Sequence, residues 1–281
     1  MNVTEINAKV ICDSVTTAGH RLTTIEAEFP RCILAEVNTH RVFSRNSASS
    51  RAIPVEKMIK RVTEDPFVPL YWGKNQSGMQ ASGEVEDKPR ADRMWRHAAQ
   101  QAVAAAMKLH DVGLHKQIVN RVLEPFLWHK AIISSTEWNN FLSQRDHEAA
   151  EPHMRILAKC IRAAMAGSSP KLLDTGQWHT PYINPETDRN MTTLETCMVS
   201  AARCARVSYL THDGRRDIGE DIRLCRKLAE AYPPHASPFE HVATPSAAQT
   251  PGNFDGWLQL RHARLAWSYL EALQANGMNQ L

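Results

Sequence analysis

The amino-acid sequence predicts an α+β fold, with mixed helices around a small, mostly antiparallel sheet. Three observations point there. Strand-like alternation is confined to a few short runs, two of them adjacent near the N-terminus. Helical patterns, one of them alanine-rich, dominate from residue 91 onward. Breaks rich in Pro and Gly fall at irregular intervals, without the regular strand–helix alternation of a parallel α/β sheet.

Lys9 to Thr16 reads as a strand, because Val10, Cys12 and Ser14 alternate with Ile11, Asp13 and Val15. Gly19-His20 turns the chain into a second strand, Leu22 to Phe29, rich in Thr and Ile. Pro30 suits the first turn of a short helix reaching Val37. Residues 39–51 read as a loop, and Pro54 to Val62 as a helix. Residues 63–90 hold Pro, Gly, Asp and two charge clusters, the composition of a long functional loop. Residues 91–110 form an alanine-rich helix ended by Gly113, and His115 to Leu123 another, stopped at Glu124-Pro125. Phe126 to Ser134 reads as a strand. Thr136 caps a helix through Gln144 with Trp138, Phe141 and Leu142 on one face. Glu151 to Ala166 is amphipathic and broken by Gly167 to Pro170. Lys171 to Asn190 reads as a connector, and Thr192 or Thr193 opens a helix towards Val207. Gly214 to Ala231 contains a further helix, Pro233 to His241 breaks and restarts the chain, and the tail from Gly256 reads as helical.

Composition excludes several classes. The net charge of +3 is too small to imply nucleic acid, although it suits a small anionic partner. No apolar run approaches the roughly 20 residues of a membrane span, and Met1 to Lys9 has no signal-peptide core. A cytoplasmic protein with no membrane and no nucleic-acid partner is expected. The six cysteines form no Cys-x-x-Cys pair and are expected to be reduced thiols. Cys204 alone sits in a basic setting, between Arg203 and Arg206, and a helical thiol among alanines reads as core. His147-x5-His153 and His235-x5-His241 lack zinc-ligand spacing, so no metal is expected.

Chemistry concentrates in residues 39–51, Thr-His-Arg-Val-Phe-Ser-Arg-Asn-Ser-Ala-Ser-Ser-Arg. Three arginines, one histidine and four serines fall within thirteen residues, with no carboxylate among them. Guanidinium forks and hydroxyls together suit a phosphate. Composition alone leaves a solvated basic loop as an equal reading. The spacing adds to this: His40-Arg41, seven residues, Ser49, then Arg51 resembles the signature of flavin-dependent thymidylate synthases, with Thr39 in place of its first arginine.

Other segments resemble the same family. Thr24 to Arg41 matches its approach to the signature. Val119 to Pro125 is similar to its Ala-Arg-x-x-Leu-Pro turn, and Glu137 to Arg145 to its Leu-Met-Asn-Phe-Leu-x-x-Arg helix. Ala205-Arg206-Val207-Ser208 and His235-Ala236-Ser237-Pro238-Phe239-Glu240-His241 resemble segments that in the family precede the signature. Here they follow it, so the order resembles a circular permutation within one domain, 1–281.

The resemblance implies FAD as cofactor, with methylenetetrahydrofolate and NADPH as co-substrates, and conversion of dUMP to dTMP by a homotetramer with sites shared between chains. It assigns His40, Arg41, Asn140, Ser208, His235 and Ser237 to the flavin. Glu36, Ser47, Ser49, Ser50, Arg51, Arg121 and Arg145 fall to the nucleotide, with Arg145 and Ser49 nearest the chemistry. Arg145 is expected to stabilise charge on the pyrimidine carbonyl, against the alternative of a salt bridge with Asp146 or Glu148. Ser49 has no Ser-His-Asp context and reads as a phosphate or base contact, not a nucleophile.

Three departures bear on specificity. The family's glutamine is Glu36, its signature glutamate is Ser47, and an Asn-x-Arg is replaced by Ser134 to Glu137. They keep two alternatives open: a hydroxymethylase or dCMP-directed enzyme, and a non-catalytic nucleotide- or nucleic-acid-binding protein. Gln177 to Tyr182 matches no family segment and reads as a ligand-stacking loop or as a plug sealing the rearranged ends. Val242 to Thr244 is expected to pair with Leu22 to Phe29, replacing the covalent link that the permutation removes.

Overall fold

The computed structural model describes residues 4–209, 217–248 and 251–263. Strands β1 (Asn7–Thr16) and β2 (Arg21–Pro30) form a hairpin whose turn uses Gly19 at φ +89°, the left-handed region that glycine enters without strain. A 3-10 turn then leads into α1 (Leu34–Asn38), followed by β3 (Ser44–Ser47) and α2 (Val55–Glu64). Next come α3 (Lys88–Asp111) and α4 (Lys116–Val119), which runs into a 3-10 stretch over Asn120–Phe126. The chain continues through β4 (Trp128–Ser135), α5 (Asn139–Arg145), α6 (Pro152–Ala166) and β5 (Lys171–Leu173). It closes with α7 (Thr193–Arg206), α8 (Ile218–Glu230), β6 (Ala243–Pro245) and β7 (Trp257–Gln259).

Five strands form one sheet in the order β3-β4-β2-β1-β5, antiparallel except for the β1–β5 pair. The mostly antiparallel α+β reading holds. Period-two alternation sends the two sides of each strand to different layers. Ile25, Ala27 and Phe29 of β2, with Ala131 and Ile133 of β4, pack against Met154, Leu157 and Ile161 of α6. Ile132 points the other way, towards Cys204 and Val207 at the end of α7. Each large apolar side chain buried this way contributes roughly 1.5–3 kcal/mol before entropy is charged. On the outer side of α7, Cys197, Ala201 and Ala205 pack with Cys225 and Leu228 of α8. The N-terminus of α7 is fixed by a reciprocal capping box between Thr192 and Glu195.

Four expectations are corrected. Residues 39–51 are not all loop, since Ser44–Ser47 pairs with β4. The connector after Gly167 opens with β5. The helix expected from Thr136 starts at Asn139, with Glu137 Oε1 accepting from Asn140 N at 3.1 Å. Trp257–Gln259 in the tail is a strand, and residues 264–281 lie outside the described residues.

The pairing expected between Val242–Thr244 and Leu22–Phe29 is not made either. β6 pairs instead with β7, and Ala243 exchanges two backbone bonds with His179. Side chains do the joining. Ser14 Oγ, His179, Thr24 Oγ1, Ser134 Oγ and His241 Nδ1 form a continuous buried chain, with links of 2.8, 2.8, 2.6 and 2.8 Å. The 177–182 segment thus packs as a plug between the sheet and α7, where Ser200 Oγ donates to Pro181 O at 2.7 Å.

Candidate functional site

β3 carries the signature. Its alternation buries Ser44 and Asn46 and leaves Arg45 and Ser47 half-buried on the other side. Arg45 turns back to the end of α1, donating to the carbonyls of His40 at 2.8 Å and Val37 at 3.3 Å. A guanidinium at a helix C-terminus is favourably placed for the orphan carbonyls there.

Asn46 is the junction. Its Nδ2 donates to Cys204 O at 2.7 Å, and its Oδ1 accepts from Ser208 Oγ at 3.1 Å and from Ser237 Oγ at 3.3 Å. Ser49 N donates to Ser208 O at 3.0 Å. The two segments that follow the signature by more than 150 residues are therefore bonded directly to it. Nothing in the sequence singles out Asn46: Ser-Arg-Asn-Ser has no apolar alternation, and its role follows from the burial pattern of β3.

Arg145 and His40 form the second cluster. Arg145 Nε donates to His40 Nε2 at 2.9 Å and its Nη2 to Thr39 Oγ1 at 3.0 Å. Asp146 is taken by Arg162, and the alternative salt bridge of Arg145 with Asp146 is not made among the described residues. Because His40 Nε2 accepts, the neutral ring carries its proton on Nδ1. Burial, then Arg145 and Arg45, hold the His40 pKa below the ordinary 6.5. Phe43 and Phe141 flank the ring, with centroids 5.7 and 4.9 Å away. Thr39, where the resemblance expects arginine, accepts from Arg145 and donates to Glu36 O at 2.6 Å. An arginine there has no acceptor to offer.

The turn after β3 is clamped from below. Asn120 Nδ2 donates to Ser50 O at 2.7 Å and Ile53 O at 2.9 Å, and Lys116 Nζ to Ala52 O at 3.0 Å. Ser50 Oγ donates to Glu124 Oε1 at 2.6 Å. Burial opposes ionisation of Glu124, but Ser50, Arg31 and Arg121 hold its pKa below the usual carboxylate range. Arg51 stands exposed at the tip of this turn and Arg41 at the tip of the previous one, neither in an ion pair among the described residues.

The remaining predicted residues are less closely joined. Arg121 is exposed and pairs with Glu124 at 3.0 Å. Asn140 lies on the exposed side of α5, accepting from Gln144 Nε2 at 3.1 Å. Glu36 is half-buried, with Oε2 enclosed and unbonded. His235 is exposed and joins Arg206 in lining a groove beside α8. Cys204 is buried, which raises its thiol pKa and leaves it unsuited to nucleophilic attack. Among the described residues no three His, Cys, Asp or Glu side chains come together to hold a metal. No helix among them is long and apolar enough to cross a membrane.

Residues 13–171, more than half of the chain, match the family model described as thymidylate synthase complementing protein. The chain belongs to that family. The match ends before Ser208 and His235, so the family segment carries the signature while the bonds at Asn46 bring in the later segments. Among solved structures, the chain is similar to a UMP/dUMP methylase, PolB, from Streptomyces cacaoi bound with 5-Br dUMP. That likeness has 16% identity and a TM-score of 0.47, covering 58% of this chain and 91% of the other. Thymidylate synthase X from Helicobacter pylori with FAD and dUMP is similar at 18% identity and a TM-score of 0.36, covering 52% of this chain and 67% of that one. No curated protein sequence matches the chain.

Proposed function

We propose that this chain is an FAD-dependent enzyme that methylates dUMP at C5 to give dTMP, using methylenetetrahydrofolate and NADPH. One observation carries the reading: Asn46 of the signature strand holds Ser208 and Ser237 together, joining the residues assigned to flavin to those assigned to nucleotide. Flavin must lie against the pyrimidine, so these groups belong in one place.

The donor set fits a flavin dinucleotide and a nucleotide phosphate. Arg41 and Arg51 are exposed and unpaired among the described residues, and the hydroxyls of Ser208 and Ser237 are only half-buried. In the proposal His40, Arg41, Asn140, Ser208, His235 and Ser237 hold FAD, which supplies hydride chemistry that no side chain provides. Ser47, Ser49, Ser50, Arg51 and Arg121 hold the nucleotide. Arg121 exchanges its contact with Glu124 for the phosphate.

Arg145 stabilises charge that develops on the pyrimidine carbonyl. His40 is a positioning residue: its Nε2 fixes the Arg145 fork, and its depressed pKa keeps it an acceptor near neutral pH. Assembly as a homotetramer, with sites shared between chains, belongs to the same reading.

Glu36 favours a second reading. Its enclosed, unbonded Oε2 is an acceptor where the family pattern has an amide, which suits a cytosine amino group or a hydroxymethyl product. FAD titration followed by mass spectrometry of the products from dUMP and from dCMP tests both. Protein that quenches FAD fluorescence and adds the mass of one methylene to dUMP fits the methylase. Absence of any FAD binding leaves only a nucleotide-binding protein.

A further inference from the structure

Unbalanced positive charge gathers on α8. Arg223, Arg226 and Lys227 stand at i, i+3 and i+4, which places them on one side of the helix. All three are exposed and in no ion pair among the described residues. With Arg206 and His235 they line a groove of about 1030 Å³, whose one lining carboxylate among the described residues is Glu230. Leu224 and Ala231 add apolar surface for a flat ring.

Arg206 is fixed in place. Its Nε donates to Asp221 Oδ1 at 2.8 Å, while Asp221 Oδ2 accepts from Arg203 Nε at 3.0 Å. Arg203 in turn bonds both oxygens of Asp188, at 2.5 and 2.9 Å. Two guanidiniums and two carboxylates thus balance one another, so the surplus in the groove comes from α8. A solvated basic face is the plain alternative, and cations do suit the last turn of a helix. Arg223, however, sits mid-helix, and the groove lies beside residues assigned to flavin. Arg206 is two positions before Ser208 and His235 two before Ser237, and both serines bond Asn46.

We propose that this groove binds the phosphates of the nicotinamide dinucleotide that reduces the flavin, and selects NADPH through its 2′-phosphate. This rests on the flavin reading above. Hydride passes from nicotinamide to flavin, oxidising the first and reducing the second, so their binding sites must adjoin. Three cations in no ion pair among the described residues, beside a positioned Arg206, match a ligand with three phosphate groups, and attraction across an open groove is screened by salt.

The test is calorimetric titration of adenosine 2′,5′-bisphosphate and adenosine 5′-monophosphate into wild-type protein, Arg223→Ala/Arg226→Ala and Glu230→Gln. Wild type prefers the bisphosphate. The double variant loosens it about tenfold, a modest effect because the cations are exposed. Glu230→Gln tightens it, a change that damage to the fold does not produce. The KM for NADPH in flavin reduction shifts in parallel, while that for NADH does not. An unchanged preference in protein that still binds FAD overturns this proposal alone. Loss of FAD affinity in the α8 variants also overturns it, because the groove then holds the flavin's own phosphates. Failure of wild type to bind FAD at all defeats the functional reading and this proposal together.

Discussion

Two regions of the molecule set histidines beside hydroxyls, to opposite ends. In the seam between β2, β4 and β6, His179 and His241 are fully buried and bonded to Ser14, Thr24 and Ser134. Burial pushes both imidazoles down to about 3, and no cationic side chain among the described residues bonds them. In the signature cluster, His40 is bonded to a half-buried guanidinium beside Arg41, which is in no ion pair among the described residues. The same residue type is a connector in one place and orients a charged group in the other. What separates them is the partner: hydroxyls alone at His179 and His241, and at the buried His40 a guanidinium that itself stands only half-buried.

Acid gives the sharpest test of that contrast. His179 and His241 have folded-state pKa values near 3 against the ordinary 6.5, so the unfolded chain binds more protons once pH falls below 6.5. Their contribution is complete above that value and is lost as pH falls from 6.5 towards 3. Between pH 7 and 5 each buried imidazole removes about 2 kcal/mol, so the pair removes about 4 kcal/mol. Urea unfolding at several pH values measures this together with a like share from His129, which burial beside Arg31 also pushes down to about 3. A free energy that stays flat from pH 7 to 5 shows that the rings do not remain neutral in the fold.

At the other pole, Arg145→Ala is expected to lower kcat by about 10²–10³, the usual cost of removing a preorganised charge-stabilising donor. FAD affinity falls far less than kcat, because of the assigned flavin contacts only His40 is disturbed, through loss of its bond from Arg145 Nε. Arg145→Lys recovers little, since an ammonium cannot form the fork that bonds both His40 and Thr39. The same variants have a structural readout. Removing the Arg145 charge raises the His40 pKa, because one cation that depresses it is gone. An NMR titration in which His40 stays put separates a loss of activity from a loss of this pairing.

Much of this arrangement was legible in the sequence because it is local. Alternation marked β1 and β2, and of the two threonines read as opening a helix, Thr192 is the N-cap of α7. The signature spacing marked residues 39–51, which lie within the part of the chain that matches the family model. What stayed hidden depends on pairs distant in sequence. Ser44–Ser47 is too short and polar to announce a strand, and becomes one because β4 offers a free edge. Asn46 has no chemistry of its own until Cys204, Ser208 and Ser237 are packed around it. The seam was misread for the same reason: Val242 to Thr244 looks ready to pair with β2, but β7 takes its edge and His179 and His241 carry the connection.

Asn46 offers the smallest effect and the most direct check on whether the two later segments are held to the signature by its side chain. Asn46→Ala deletes the donor to Cys204 O, a carbonyl that follows a fully buried side chain in α7, and the acceptor shared by Ser208 and Ser237. Only the carbonyl bears a full desolvation cost. Both serines are half-buried and their hydroxyls regain water, so the loss of stability is about 1–3 kcal/mol. Asn46→Asp keeps the shape and the acceptor but turns an oxygen towards Cys204 O, and is expected to cost at least as much. Under the flavin reading, both variants weaken FAD binding more than nucleotide binding, because Ser208 and Ser237 lose their common anchor while the turn at 49–53 keeps its clamps from Asn120 and Lys116. Paired titrations with FAD and dUMP measure the split. Equal weakening of both ligands shows that Asn46 supports the fold as a whole, and that the later segments reach the signature by packing alone.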